Sequence, residues 1–243
     1  MKCLIIAAGQ GTRLRSIARS KPLARIAGRP LIEHVVRSAH SGGASGFVVV
    51  TGYEAGPIEA FLHSLSEQIE VPIETVRNEE WERPNGVSVL AAAERLEGEF
   101  ILLMSDHLFD GSIVRNLIDA PRRGALTLAA DRNVTNPQLD LDDATKLALD
   151  REGRILRIGK TLPDYDAVDT GIFLAGPALF DALRASLANG ASGSLSEGVQ
   201  ALAAAGEAWT FDIGGRWWLD VDDEVAFRKA RRRFSDQDPV AAT

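Results

Sequence analysis

The stretch Ala7-Ala8-Gly9-Gln10-Gly11-Thr12-Arg13-Leu14, followed by Ser20-Lys21-Pro22-Leu23, gathers residue types suited to holding phosphate. Glycines directly after a short apolar run let the backbone approach an anion. The exposed amides of such a loop can then donate to its oxygens. Arg13 can clamp phosphate oxygens in bidentate fashion, and Lys21 can bring a point charge to a reacting phosphate. Two familiar loops are excluded. A dinucleotide fingerprint wants a small residue where Leu14 stands, and a Walker A loop wants a terminal Gly-Lys-Ser/Thr that is absent. On spacing alone the stretch reads equally as a phosphate cradle or as a Gly-rich turn carrying two solvated cations.

The elements that must position these residues follow from hydrophobic periodicity. Lys2 to Ala7 reads as a buried strand, as do Phe47 to Thr51, Ile73 to Val76, Phe100 to Met104 and Ala125 to Ala130. Between them, apolar residues at helical spacing predict helices after Pro30, around Ile58 to Leu65, over Val87 to Leu96 and over Ile113 to Ile118. Strands alternating with helices imply an α/β fold: a Rossmann-like three-layer α/β/α arrangement with a mostly parallel, mixed sheet. Ligands bind such sheets at the carboxyl ends of the strands, so the Ala8–Arg13 loop and Asp106 are expected near one another. Residues 131–166 break the rhythm and carry a hairpin signature over Lys146–Leu149 and Arg154–Ile158, which reads as a small lid excursion. A strand at Val168–Leu174, helices at 177–187 and 195–205, a strand at 208–213 and a helix at 223–234 complete the pattern. One domain over 1–234 and a disordered tail over 235–243 are expected.

Composition narrows the function. There are 27 Lys and Arg against 34 Asp and Glu, a net charge of −7, which offers no broad cationic footprint for nucleic acid. The one cysteine, Cys3, excludes an internal disulfide framework. No apolar run reaches the ~18 residues of a membrane span, and the N-terminal apolar run is too short for a signal peptide. A cytoplasmic protein without stable membrane insertion is expected, with a homodimer left open.

The A-A-G-x-G-T-R-L opening followed by K-P-L resembles the nucleotidyltransferases called pyrophosphorylases, with Ser20 where most members have proline. Ser105-Asp106-His107, Val168-Asp169-Thr170-Gly171-Ile172-Phe173 and Trp217-Trp218-Leu219-Asp220-Val221-Asp222 extend the likeness. With Asn85-Gly86-Val87-Ser88, Ile158-Gly159-Lys160 and Tyr165-Asp166, it is most similar to the cytidylyltransferases that act on inositol 1-phosphate. The resemblance spans about residues 2–230 and implies the nucleotide-diphospho-sugar transferase fold. It also implies Mg²⁺ as cofactor, with CTP and a phosphomonoester as partners. Arg13 and Lys21 would be catalytic, and Ala7, Ala8, Gly9, Gly11, Thr12, Asn85, Gly86, Ser88 and Ser105 would hold the nucleotide. Lys160, Asp166, Asp169 and Thr170 would meet the acceptor, and Asp106, Asp220 and Asp222 the metal.

Each assignment has a plainer alternative. Asp106 can cap the helix that follows, Asp220 and Asp222 can open the last helix, and Lys160 can be a solvated hairpin lysine. Asp166 and Asp169 can satisfy backbone amides. His107 would point away from Asp106 along a strand, which leaves it at most a supporting place. Phosphocholine, aminoethylphosphonate or a sugar 1-phosphate are the alternative acceptors. A metal-dependent glycosyltransferase or a non-catalytic nucleotide-binding regulator fit the residues less well.

Overall fold

The computed structural model describes residues 1–136 and 139–235. The expected tail lies outside them except for Ser235, the last residue of the final helix. The strands are β1 (Lys2–Ala7), β2 (Arg25–Ile26), β3 (Arg29–Pro30), β4 (Gly46–Thr51), β5 (Ile73–Arg77), β6 (Phe100–Met104), β7 (His107–Phe109), β8 (Leu126–Asp131), β9 (Lys146–Leu149), β10 (Ile155–Gly159), β11 (Ala167–Ala175), β12 (Ala208–Asp212) and β13 (Trp218–Asp220). The helices are α1 (Leu31–Ser41), α2 (Ala55–Ile69), α3 (Asn85–Ala91), α4 (Ser112–Asp119), α5 (Pro177–Ala188), α6 (Leu195–Ala204) and α7 (Glu224–Ser235).

Alternation along β1 explains the three layers. Cys3, Ile5 and Ala7 face a core completed by α1, α2, α4 and α7. Leu4, Ile6 and Ala8 face a second core completed by α3, α5 and α6. A strand buried on both faces reads as a continuous apolar run, as this one does. β1 lies between β4 and β6, parallel to both, with β5 beyond β4. The sheet turns mixed at β11, which runs antiparallel to β6 and β8, while β12 is parallel to β8.

The excursion over 131–166 differs from expectation. Its hairpin does not stand free: β9 pairs with β11 through Ala167↔Leu147 and Val168↔Lys146, so β9 and β10 extend the main sheet. Within the excursion, residues Leu139 to Thr145 before β9 and Lys160 after β10 contribute to the lining of a cavity. Two short ribbons were not legible in the sequence, β2–β3 and β7–β13. The second positions the site, because its register sets Asp220 opposite His107.

Candidate active site

The loop after β1 carries Gly11 in the left-handed region at φ +59° and then a single 3₁₀ turn over Thr12–Leu14. A Cβ at Gly11 would collide with the Lys21 side chain, so the glycine both makes the turn and lets the lysine pass beneath it. Lys21 opens a second 3₁₀ turn, with Pro22 as its next residue. It is buried, with 6% of its surface exposed. Its ammonium lies 2.5 Å from Asp106 Oδ2 and also pairs with Asp222. Burial alone would lower its pKa, but Asp106, Asp222 and Asp220 outweigh this and raise it, so Lys21 is firmly a cation. Arg13 pairs with the same Asp222 and, at 2.7 Å, with Asp143. Lys160 meets Asp143 from the hairpin at 2.5 Å.

Asp106 follows β6 in a two-residue turn with Ser105, and that turn resets the alternation assumed for a continuing strand. His107 therefore does not point away. Its Nε2 lies 3.8 Å from Asp106 and 3.4 Å from Asp220, while its Nδ1 lies 2.7 Å from the Thr170 carbonyl. Burial would lower the His107 pKa, but Asp220, Asp106 and the carbonyl raise it to about 10. Asp106 is held below the usual carboxylate range: burial opposes this, and Lys21 and His107 prevail.

One donor atom from each of Asp106, His107 and Asp220 lies within 4.8 Å of the others. Asp220 Oδ1 is buried without a hydrogen-bond partner. An aspartate with one unpartnered oxygen and its other oxygen, Oδ2, 3.4 Å from an imidazole, next to a second carboxylate, fits a divalent cation. Asp222, expected as a further ligand, pairs with Lys21 and Arg13.

These groups border a cavity of about 480 Å³ whose lining includes Arg13, Asn85, Lys160, Asp169, Asp220 and Asp222, as well as His107 and Asp143. Lys21 and Asp106 lie behind that lining, joined to it through Asp222 and His107. Asp169 accepts from the Gly171 amide at 2.7 Å, and burial raises its carboxyl to about 6. Asn85 accepts from the Leu195 amide at 2.9 Å, which ties the starts of α3 and α6 together at the cavity edge.

Other expected residues are spent elsewhere. Ser88 is buried and accepts from Asn78 Nδ2 at 3.0 Å. Gly86 packs so closely that a Cβ would meet the Gly193 carbonyl at 2.5 Å. Asp166 accepts from the Leu149 amide at 2.7 Å, away from the cavity lining. The Thr170 hydroxyl donates to the Ala129 carbonyl at 2.7 Å, so the hydroxyl is turned away and only the carbonyl serves the site, through His107. Ser105 is buried, with its amide on the Ile6 carbonyl. Ala7 and Ala8 are buried, Gly9 and Thr12 are exposed, and none of them, nor Gly11, lines the cavity itself. Sequence reasoning missed Asp143 entirely. It is one of three aspartates between Asp140 and Asp143, with no spacing to single it out.

A mixed α/β sheet with a cationic Gly-rich loop after its first strand and a carboxylate cluster at the end of a neighbouring strand defines a nucleotidyltransferase-type domain. The chain belongs to the family of MobA-like NTP transferase domains, whose model matches residues 3–201. It is 37% identical over 90% of its length to the "Bifunctional IPC transferase and DIPP synthase" of Rubrobacter xylanophilus, and spans 48% of that relative. It is 26% identical over 88% of its length to the "UTP--glucose-1-phosphate uridylyltransferase AglF" of Haloferax volcanii, covering 91% of it. The solved inositol-1-phosphate CTP transferase from T. maritima superposes with a TM-score of 0.86 at 23% identity, over 100% of this chain and 98% of that one, and shares the fold. No helix among the described residues is long and apolar enough to cross a membrane.

Proposed function

We propose that residues 1–234 act as one nucleotidyltransferase domain that joins CTP to inositol 1-phosphate, giving CDP-inositol and pyrophosphate with Mg²⁺. The observation that carries the reaction type is Lys21, a buried cation held by Asp106 and Asp222 next to Arg13. A site that must bring two polyanions together needs such fixed cations, because their mutual repulsion amounts to several kcal/mol. The choice of substrates is supported by the likeness to the Rubrobacter IPC transferase and DIPP synthase and to the inositol-1-phosphate CTP transferase.

An oxygen of the phosphomonoester attacks the α-phosphorus of CTP. A new P–O bond forms, the bond to the bridging oxygen of the β-phosphate breaks, and pyrophosphate leaves with those electrons. The nucleophile is largely ionised near neutral pH, since its second pKa is about 6. It needs no general base, and the chain supplies position and charge. Lys21 stabilises charge developing on the α-phosphate oxygens, and Arg13 exchanges Asp143 and Asp222 for the leaving phosphates. Lys160 exchanges Asp143 for the acceptor's phosphate, and Asp169 accepts from an acceptor hydroxyl. Asp106 and Asp220 would hold the Mg²⁺, which neutralises phosphate charge when bound.

Pyrophosphate release across four nucleoside triphosphates and four acceptors tests this reading. The acceptors are inositol 1-phosphate, phosphocholine, aminoethylphosphonate and glucose 1-phosphate. Release with CTP and inositol 1-phosphate alone, abolished in Lys21→Ala and Asp220→Ala, is the expected result. Release with UTP and glucose 1-phosphate would favour the second reading, to which the Haloferax relative points. Silence across the grid from folded protein would sink both.

A further inference from the structure

His107 is the one member of the cluster that the transfer described above does not use, and the fold invests heavily in its placement. Its Nδ1 faces the Thr170 carbonyl at 2.7 Å. A carbonyl only accepts, so Nδ1 carries the hydrogen, and the lone pair of a neutral ring falls on Nε2, the atom that faces Asp220 and Asp106. The slot for the ring is cut by Gly171, at φ +73°, where an added Cβ would reach 2.7 Å from the imidazole Cε1. The Trp218 ring, 6.1 Å away and tilted by 31°, flanks it, and β7–β13 pairing fixes Asp220 opposite.

Asp106 divides its oxygens between two tasks. Oδ2 takes Lys21 at 2.5 Å and Oδ1 faces the ring. The Nε2 distances of 3.4 and 3.8 Å are long for hydrogen bonds but close to the spacing of donors that share one ion. Donors about 2.1 Å from an ion lie roughly 3.0–3.6 Å apart at ordinary angles.

We propose that His107 is a direct third protein ligand to the divalent cation of this site, so that the site loads metal before nucleotide and prefers Mn²⁺ to Mg²⁺. This rests on the reading of Asp106 and Asp220 as metal carboxylates. Magnesium is a hard ion that favours oxygen donors and retains its waters, and it is typically held by one or two carboxylates plus substrate phosphates. An imidazole nitrogen in the donor set moves preference toward transition ions. A third protein donor also removes the need for phosphate oxygens to complete the binding. The cation takes the place of the Nε2 proton, which is released.

The test uses Mn²⁺ alone, without nucleotide, followed by electron paramagnetic resonance, with Mg²⁺ as competitor and electron spin-echo modulation to detect a bound ¹⁴N. Three folded proteins are compared: the unaltered chain, His107→Asn and Asp220→Asn. The asparagine amide can still donate to the Thr170 carbonyl but offers nothing at the Nε2 position. The unaltered chain is expected to bind one Mn²⁺ more tightly than Mg²⁺ and to show ¹⁴N modulation. His107→Asn should lose the modulation and bind Mn²⁺ about 10-fold more weakly or worse, with a smaller change for Mg²⁺. Asp220→Asn should bind neither ion. Bound Mn²⁺ without ¹⁴N modulation, or unchanged affinity in His107→Asn, overturns the histidine ligand while leaving the carboxylate site standing. No Mn²⁺ binding without CTP overturns loading before nucleotide. Undiminished binding in Asp220→Asn is the separate result that removes the underlying reading of the site.

Discussion

Lys21 illustrates how much of this site is stored charge. An ammonium almost without exposure is tolerable here because the carboxyl groups of Asp106 and Asp222 lie against it. Substituting it by methionine keeps the shape and removes the charge. We expect kcat for pyrophosphate release to fall about 100-fold or more in Lys21→Met, the usual scale for losing one transition-state donor. A loss confined to KM would assign Lys21 to ground-state binding. Gly171 makes a second prediction at this scale. Alanine there would be strained at positive φ and would press on the His107 ring, so Gly171→Ala should cost about 1–3 kcal/mol in a denaturant titration. An unchanged midpoint would show that the ring has room to move. That the first loop would lie near Asp106 was legible from the sequence, and Lys21 does pair with Asp106. Asp166 and the Thr170 side chain were not separable from them, because a carboxylate aimed at a substrate and one aimed at the Leu149 amide look alike in a sequence.

Among the elements, α6 shows how a helix start can support the cavity edge. Ser194 accepts from the Glu197 amide at 3.3 Å, and Glu197 accepts from the amides of Ser192, Gly193 and Ser194. Asn85 takes the next amide, Leu195, at the cavity edge. Ser194→Ala should therefore destabilise the fold by about 1 kcal/mol, measured by chemical denaturation. Burial opposes ionisation of Glu197, but together the three amides and the Ser192 hydroxyl outweigh it and bring its carboxyl down to about 2. A folded pKa below the unfolded one means a stabilisation present above pH ~4.5 and lost as pH falls from there toward 2. In Glu197→Gln, stability between pH 7 and 3 should fall less steeply than in the unaltered chain. Parallel curves would mean that the loop does not depend on that charge. The helix itself was readable from apolar spacing. The tie to Asn85 was not, because it joins residues 110 apart in the chain.

On the scale of the whole molecule, two cores share one sheet, and the cavity lies where elements from both meet. Phe100 is fully buried in one core, stacked on Phe180 at 5.3 Å. Phe100→Ala should cost about 3–5 kcal/mol, seen as a lower melting temperature. A ligand that binds only the folded chain raises that temperature by mass action, with about 2.7 kcal/mol expected at 100 times its Kd. Among nucleoside triphosphates, CTP should give the largest shift, and Arg13→Ala should reduce it. Equal shifts with all four would leave the base unread by this site.

The sequence by itself determined the main strands and helices, the layering and the first loop, because burial on two sheet faces writes continuous apolar strands and helical stripes into short windows. It also put the Ala8–Arg13 loop near Asp106, since ligands bind such sheets at the carboxyl ends of the strands. Tertiary structure alone decided that His107 joins Asp106 and Asp220, that Asp222 pairs with Lys21 and Arg13, and that Asp143 bridges Arg13 and Lys160. Those outcomes depend on a turn after Met104, on the register of a three-residue ribbon and on a segment without periodicity. Each is fixed by contacts between distant segments, which no local pattern of residues records.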